Sequence, residues 1–245
     1  MKNKKSKNEV SKKGKPLPAW FMAIIPVYIC AVLAPFIFLP AGDWAWFEGW
    51  TFMVTLVVNL TISFIYINKK NPRMLRNQMK IKKEGLTAAT EKSAGSDRFI
   101  MPVMSIGFFS ALILPGLDHR FGWTSIPLAV EMIGLVVMNV GALVMNIAIL
   151  QNPFASKLLD INEGQMLVDT GLYAVVRHPL YAGAVFMILG TPVALGSWWA
   201  LIPAVLAALS LVARIHFEEE MLLKGMDGYS DYQSRVKYKL IPGIY

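Results

Sequence analysis

Two polar clusters in the second half of the sequence combine side chains that could bind and orient a small charged molecule. The first is GLYAVVRHPLYAG at residues 171–183, where an arginine, a histidine and two tyrosines lie between apolar neighbours. The second is the acidic run EEE at residues 218–220, which follows a long apolar segment. A cation, an anion, an imidazole and a phenol at one place can hold a zwitterionic ligand, and the imidazole or a carboxylate can also accept a proton.

The position of Pro179 predicts where the first cluster lies. Proline suits the first position of a helix and keeps the preceding residue out of the α region, so we expect a helix to begin at Pro179. Arg177 and His178 then lie at a helix N-terminus, where free amide groups and the helix dipole favour an anion. By itself the motif is also consistent with an interfacial anchor, in which Arg177 binds phosphate headgroups while Tyr173 and Tyr181 lie in an aromatic belt.

The acidic run needs partners, because charged side chains at the end of an apolar helix are costly unless they are solvated or paired. Successive helical residues are about 100° apart, so the three glutamates cannot share one direction. Arg214 with Glu218, and Glu220 with Lys224, have the four-residue spacing of helical ion pairs. Glu219 has no helical partner of that kind, and we expect at least one of the glutamates to face a neighbouring helix.

A predicted helical hairpin brings the two clusters together. The apolar runs at residues 181–195 and 198–213 are separated by Gly196 and Ser197, and each is short for a membrane span. The two inner ends of so short a hairpin must lie near each other. The residues expected to meet there are Arg177, His178, Tyr181, His216, Glu218 and Glu219.

The composition is that of a membrane protein. Of the 245 residues, 55% are hydrophobic and only 16% are charged. Four apolar runs reach the roughly 20 residues that a helix needs to cross a bilayer. The sequence predicts an all-α integral membrane fold with four transmembrane helices, followed by the C-terminal helical hairpin at residues 181–213 and a cytoplasmic C-terminal helix. The four spans are expected at residues 19–40, 49–68, 99–117 and 126–150.

The distribution of basic residues predicts the orientation. With the N-terminus in the cytoplasm, each of the 24 lysines and arginines except Arg120 lies on the cytoplasmic side, together with both termini and both clusters. This excess indicates topology and contact with anionic lipid, and not a nucleic-acid surface. We expect a disordered basic cytoplasmic tail at residues 1–15, a four-helix transmembrane region at 16–150 with a basic inner loop at 69–98, and a third region at 151–245 that comprises an inner loop, the hairpin and a cytoplasmic tail.

Several kinds of site are excluded by motifs that the sequence lacks. The single cysteine, Cys30, excludes an internal disulfide and any site made of several cysteines. There is no H-E-x-x-H motif, and no metal site is predicted. There is also no G-x-G-x-x-G or Walker loop, so a soluble nucleotide-binding domain is not predicted.

The two clusters taken together resemble a known signature. GLYAVVRHPLYAG followed by EEEMLLKGMDGYSDYQSRVKYKLIPGIY is similar to the C-terminal signature of the isoprenylcysteine carboxyl methyltransferase family, its prokaryotic relatives and the related membrane phospholipid methyltransferases. The likeness covers residues 164–245, with a weaker NPRML match after the second span. It implies an integral-membrane methyltransferase that uses S-adenosylmethionine without a Rossmann domain and acts on a lipophilic small-molecule or lipidated substrate among membrane lipids.

The resemblance also implies roles for individual residues. The cofactor's carboxylate would suit the helix N-terminus, its ammonium a glutamate, and its sulfonium the aromatic rings. Region 151–245 would thus be the cofactor-binding catalytic region, with catalytic roles for Arg177, His178 and Glu219. The cofactor-binding residues implied are Tyr173, Arg177, His178, Tyr181, Gly183, Glu218, Glu219, Tyr229 and Tyr232.

Other functions remain open on the sequence alone. A carboxylate acceptor needs no general base, whereas an amine acceptor, as in a phospholipid N-methyltransferase, would need His178 or a glutamate to take its proton. A thiol acceptor is a further possibility. An NADPH-dependent membrane sterol-type reductase would share the R-H-P and terminal P-x-I-Y patterns, although EEEMLLKGMDGYSDY favours a methyltransferase. A non-enzymatic membrane protein with an anchored tail is the third alternative.

Overall fold

The described residues form helices joined by loops, with no strand among them. A computed structural model describes residues 16–70, 72, 97–152 and 167–245. The predicted basic tail at 1–15, most of the basic loop at 69–98 and residues 153–166 of the inner loop lie outside the described residues. The helices are α1 (Ala19–Ala41), α2 (Phe47–Lys70), α3 (Asp97–Phe121), α4 (Leu128–Gln151), a 3₁₀ turn (Gly171–Ala174), α5 (Pro179–Ala194), α6 (Leu201–Gly225) and α7 (Tyr229–Arg235).

Five of these helices, namely α1, α2, α3, α4 and α6, are long and apolar enough to cross a membrane. Helices α1 to α4 begin and end within a few residues of the four predicted spans, because unbroken apolar runs of this length are stable in a bilayer only as helices. The predicted all-helical membrane architecture is confirmed. Helix α5, with 16 residues, is shorter than these five.

The second arm of the predicted hairpin is longer than expected. The first arm, α5, begins at Pro179 with His178 as its N-cap at φ −125°, as the proline predicts. The second arm does not end at residue 213, since α6 continues to Gly225 as one helix of 25 residues. Residues 214–224 are rich in helix formers and contain neither glycine nor proline, so nothing ends the helix earlier. The hairpin is therefore asymmetric, and its second arm carries the acidic run on a continuous helix.

Glycines allow α4 and α5 to approach closely. A Cβ atom built on Gly183 would lie 2.6 Å from the carbonyl oxygen of Gly141, and one on Gly141 would lie 2.5 Å from the carbonyl oxygen of Gly183. A Cβ on Gly190 would lie 2.6 Å from the backbone nitrogen of Met138. Small residues bring helix backbones together in membrane proteins, where van der Waals packing drives association. We call this contact between α4 and α5, made at Gly141, Gly183 and Gly190, the glycine seam. It fixes the start of α5 relative to α4.

The two ends of the helical bundle differ in their polar residues. At one end Asp118, which is 1% exposed, accepts hydrogen bonds from the backbone nitrogen of Thr124 at 2.7 Å and from the hydroxyl of Ser197 at 2.5 Å. His119 lies there too, 3.1 Å from a carboxylate oxygen of Asp43. These bonds join the loops that follow α1, α3 and α5. We call this the Asp118 end; the start of α5 and the last turns of α6 lie at the opposite end.

Two asparagines contact each other inside the bundle. The side chain of Asn59 on α2 donates a hydrogen bond to the side-chain oxygen of Asn139 on α4. Asn139 in turn donates to the carbonyl oxygen of Leu135 at 2.7 Å. An amide pair of this kind satisfies both polar groups within the apolar region and joins two helices.

Candidate functional site

The C-terminal segment crosses the start of α5. Because α5 begins at Pro179, the backbone nitrogens of Arg177 and His178 are not used within the helix. They donate instead to the carbonyl oxygens of Tyr238 and Lys239, each at 2.9 Å. Residues 236–245, which we call the strap, are thereby paired with the two residues that precede the helix.

Arg177 also holds the strap through its side chain. Its Nη1 atom donates to the carbonyl oxygen of Val236 at 2.6 Å and to that of Lys237 at 2.9 Å. Arg177 is only 7% exposed, and a buried guanidinium needs such acceptors because it carries five donors. Its Nη1 donors therefore go to backbone oxygens and not to solvent.

Glu219 is the centre of a buried charge cluster. Arg177 Nε donates to Glu219 Oε1 at 2.6 Å, and His178 Nε2 lies 3.2 Å from the same oxygen. Lys239 Nζ, from the strap, lies 3.2 Å from Glu219 Oε2. Burial by itself would lower the pKa of Lys239, but the hydrogen bonds and charge interactions with Glu219 and Tyr245 together outweigh burial and raise it, so the lysine is a cation at neutral pH. Both carboxylate oxygens of a nearly inaccessible glutamate are thus paired with cationic or imidazole groups.

Glu218 occupies a different environment from its neighbour. The hydroxyl of Tyr181 donates to Glu218 Oε2 at 2.6 Å, and Glu218 is only half-buried. The Tyr181 ring stacks on the His178 ring with 5.7 Å between centroids, and the guanidinium carbon of Arg214 lies 5.9 Å from the Tyr181 ring. Glu218 therefore presents a carboxylate beside a stacked pair of rings.

Three tyrosines form a buried group beneath the strap. The hydroxyl of Tyr232 donates to the carbonyl oxygen of Tyr173 at 2.7 Å, and the rings of Tyr229 and Tyr232 lie 5.7 Å apart. Burial raises the pKa of Tyr173 to about 12 and also raises those of Tyr229 and Tyr232. All three are therefore neutral at physiological pH. The group joins α7 to the 3₁₀ turn and so fixes the path of the chain into the strap.

Tyr232→Phe is expected to lower the free energy of unfolding by about 1–2 kcal/mol, because it leaves the buried carbonyl oxygen of Tyr173 without that hydrogen bond. The effect should appear as a lower midpoint of thermal unfolding in detergent. Tyr238→Phe is the matched control, since Tyr238 is 41% exposed and should change little. Equal midpoints for the two variants would contradict the assigned hydrogen bond.

The structure brings together most of the predicted residues. Arg177 and His178 meet Glu219, and Tyr181 meets Glu218, as the predicted hairpin requires. Two residues lie elsewhere. His216 Nε2 is 3.2 Å from Glu220 Oε1 with both side chains more than half exposed, and Gly183 contacts α4 through the glycine seam.

Lys239 is the residue of the cluster that the sequence did not indicate. It lies 20 positions after Glu219, beyond α7, so no helical spacing relates the two. The available signal was the KLIPGIY segment, which forms the end of the family signature. Its contact with Glu219 depends on the path of the strap, which local patterns do not determine.

One segment of the chain matches a known protein family. Residues 129–227 match the phospholipid methyltransferase family. This match confirms the resemblance of the C-terminal half to membrane methyltransferases that the two motifs indicated. It includes all of α4 except the first residue, the whole of α5 and all three glutamates, and it ends before the strap.

The chain also resembles a solved structure over most of its length. The fold is similar to that of the eukaryotic intramembrane Ras methyltransferase, isoprenylcysteine carboxyl methyltransferase, with a TM-score of 0.49 and 21% sequence identity, over 93% of this chain and 87% of that one. No curated protein gives a significant sequence match.

Proposed function

We propose that this chain is an integral-membrane S-adenosylmethionine-dependent methyltransferase that acts on a lipophilic acceptor. One observation carries the proposal: the segment that matches the phospholipid methyltransferase family contains Arg177, His178, Tyr181, Glu218 and Glu219, and these residues meet at one end of an apolar helical bundle. A polar cluster beside long apolar helices suits a reaction between a water-soluble cofactor and a substrate held in the bilayer.

The residues present fit the proposed cofactor. Glu218 is half-buried, and its carboxylate has acceptor capacity beyond the bond from Tyr181, which suits an ammonium group. The stacked rings of His178 and Tyr181 offer aromatic faces that suit a sulfonium. We propose that these three residues hold the cofactor, with the buried tyrosines Tyr173, Tyr229 and Tyr232 around them. When bound, S-adenosylmethionine supplies an electrophilic methyl group.

Arg177 and Glu219 have contacts that support a positioning role. The guanidinium binds one carboxylate and two strap carbonyls, and the carboxylate is shared by three side chains. We propose that the two hold His178 and the strap in place. Gly183, implied by the resemblance as a cofactor contact, is proposed to act by allowing α5 to approach α4.

The proposed chemistry asks little of the protein beyond alignment. Methyl transfer is an in-line displacement, so catalysis can come from orienting the two reactants and excluding water. Arg177, His178 and Glu219 are each no more than 7% exposed, which keeps water away from one wall of the site. With an amine acceptor, Glu218 or His178 would take the proton; with a carboxylate acceptor no proton moves.

Two acceptor classes are supported by separate observations. The family match favours a phospholipid acceptor, whereas the sequence signature favours a carboxylate such as that of a prenylated cysteine. Incubation of the purified protein with methyl-labelled S-adenosylmethionine, and with either phosphatidylethanolamine vesicles or N-acetyl-S-farnesylcysteine, distinguishes them. Label in the lipid extract supports the first class, and base-labile label in the farnesylated acid supports the second.

We further propose that both termini and the site face the cytoplasm, with region 151–245 as the catalytic region. The charges support this orientation: Lys69, Lys70, Lys224 and Arg235 lie toward the site end, and Arg120 lies at the Asp118 end. Positive residues favour the cytoplasmic side of a membrane protein.

Calorimetric titration of the detergent-purified protein tests the activity. We expect S-adenosylhomocysteine to bind and NADPH not to bind. Binding of NADPH alone would support the sterol-type reductase instead. Binding of neither compound would favour a membrane protein without this enzymatic function.

A further inference from the structure

The KLIPGIY segment forms a closed loop at the end of the strap. The backbone nitrogens of residues 239, 240 and 241 all donate to a backbone oxygen of Tyr245, at 2.9, 2.8 and 3.1 Å. The nitrogens of residues 244 and 245 donate back to the carbonyl oxygen of Ile241, each at 3.1 Å. Gly243, at φ +81°, supplies the left-handed conformation that this reversal needs. The loop is therefore a defined unit, which we call the KLIPGIY loop.

The KLIPGIY loop is packed between the two helices that carry the site. Leu240 is 7% exposed and forms an apolar cluster with Ala182 of α5 and Ile215 of α6, which Ile241 and Tyr181 also contact. Apolar packing of this kind holds the loop at a fixed place relative to both helices. The packing thereby holds the backbone of Lys239 beside the charge cluster around Glu219.

The loop directs Lys239 toward Glu219. Lys239 Nζ lies 3.2 Å from Glu219 Oε2, 3.3 Å from the hydroxyl oxygen of Tyr245 and 5.1 Å from the centre of the Tyr245 ring. The ammonium is thus held between a carboxylate and an aromatic face, which both favour a cation.

We propose that Lys239 is a positioning residue of the methyl-transfer site, which acts by fixing the carboxylate of Glu219. Arg177 and His178 both contact Oε1, whereas the ammonium group of Lys239 contacts Oε2. A buried carboxylate oxygen without a donor is costly, and loss of the lysine would favour rotation of the carboxylate. This inference rests on the proposed function of the same site.

A chain of contacts connects Lys239 to the proposed cofactor residues. Glu219 contacts His178, the His178 ring stacks on Tyr181, and the Tyr181 hydroxyl binds Glu218. A rotated Glu219 would release the His178 ring from one of its contacts and so disturb the pair that presents Glu218. Lys239 therefore acts on ligand affinity through Glu219 and not by touching the ligand.

The strap has attachments that do not need the lysine side chain. Four hydrogen bonds from Arg177 and His178 reach the carbonyl oxygens of residues 236 to 239. Removal of the ammonium leaves these bonds in place. The expected effect of replacing Lys239 is therefore on the arrangement of the site, with the strap still attached.

The test compares S-adenosylhomocysteine affinity among variants of the full chain by calorimetry in detergent. We expect Lys239→Met to raise the Kd about tenfold, because a charged hydrogen bond that orders the site is lost. Lys239→Arg should restore the Kd to within about threefold of wild type, since a guanidinium can reach the same carboxylate oxygen. Lys224→Met is the matched control, because Lys224 is an exposed lysine at the same end, and its Kd should not change.

A double variant tests whether Lys239 acts through Glu219. Adding Lys239→Met to Glu219→Gln should raise the Kd no further than Glu219→Gln alone, because the two changes remove the same interaction. If the effects add, or if Lys239→Met lowers only the unfolding temperature and leaves the Kd at the wild-type value, the inference is wrong. If Lys239→Met is not recovered folded, Lys239→Gln replaces it with the same expected Kd.

The wild-type titration separates the two proposals. If the wild type binds S-adenosylhomocysteine and Lys239→Met binds it equally well, the role of Lys239 is overturned while the proposed function stands. If the wild type does not bind it, the proposed function is overturned and the role of Lys239 falls with it.

Discussion

Glu219→Ala is expected to lower the free energy of unfolding by about 3–5 kcal/mol, because it removes one partner from a buried ion pair and leaves a buried guanidinium uncompensated. Glu219 is 5% exposed and Arg177 is 7% exposed, so water cannot replace the lost carboxylate without a local rearrangement. The measurement is thermal or denaturant unfolding of the purified protein in one detergent. The same variant should also lose affinity for S-adenosylhomocysteine, since His178 and the strap lose their common partner.

The control for this prediction is the next residue in the chain. Glu220 lies on the same helix, but its side chain is 52% exposed and its contact with His216 is open to solvent. Exposed pairs contribute roughly 0–1 kcal/mol, so Glu220→Ala should have a small effect. Similar losses of stability in the two variants would show that the burial of Glu219 is not what makes it important.

Gly183→Ala is expected to have the second large effect, a loss of about 1–3 kcal/mol in the free energy of unfolding from overpacking. The new methyl group would lie 2.6 Å from the carbonyl oxygen of Gly141 and 2.7 Å from Cγ of Met145. Because the first of these atoms is backbone, α4 and α5 must separate to admit the methyl group. The unfolding midpoint in detergent should fall accordingly.

A neighbouring residue provides a matched addition of one methyl group. Val140 precedes Gly141 on α4 and is 49% exposed, so Val140→Ile adds the same volume on an open face of the helix. We expect that variant to unfold at the wild-type temperature. A midpoint for Gly183→Ala as high as that of Val140→Ile would contradict the close contact at the seam.

The bounds of the long helices and the first residue of α5 could be predicted from local sequence patterns. The long apolar runs gave four spans whose ends lie within a few residues of α1 to α4, because the bilayer leaves such a run no stable form but a helix. Pro179 predicted the first residue of α5 for an equally local reason. The meeting of the R-H-P motif with the acidic run followed from the shortness of the hairpin.

Helical spacing predicts the partners of the glutamates only in part. Glu220 contacts His216, which lies four positions before it on α6, whereas Tyr181 and the three partners of Glu219 lie on other elements. Helical spacing shows which side chains are neighbours on one helix. It does not show which face of α6 is turned toward α5, and that face decides which glutamate is buried.

Local sequence patterns establish the class of protein, the approximate bounds of the long helices and the two motifs of the site, because hydropathy and helix termini depend on residues close together in the chain. Three-dimensional packing alone shows that Glu219 is the buried glutamate of the acidic run, that Gly183 belongs to the seam with α4, and that Lys239 contacts Glu219. Each of these depends on the rotation of a helix about its axis or on the path of the strap. Long-range packing sets both of them, and no periodicity in the sequence records either.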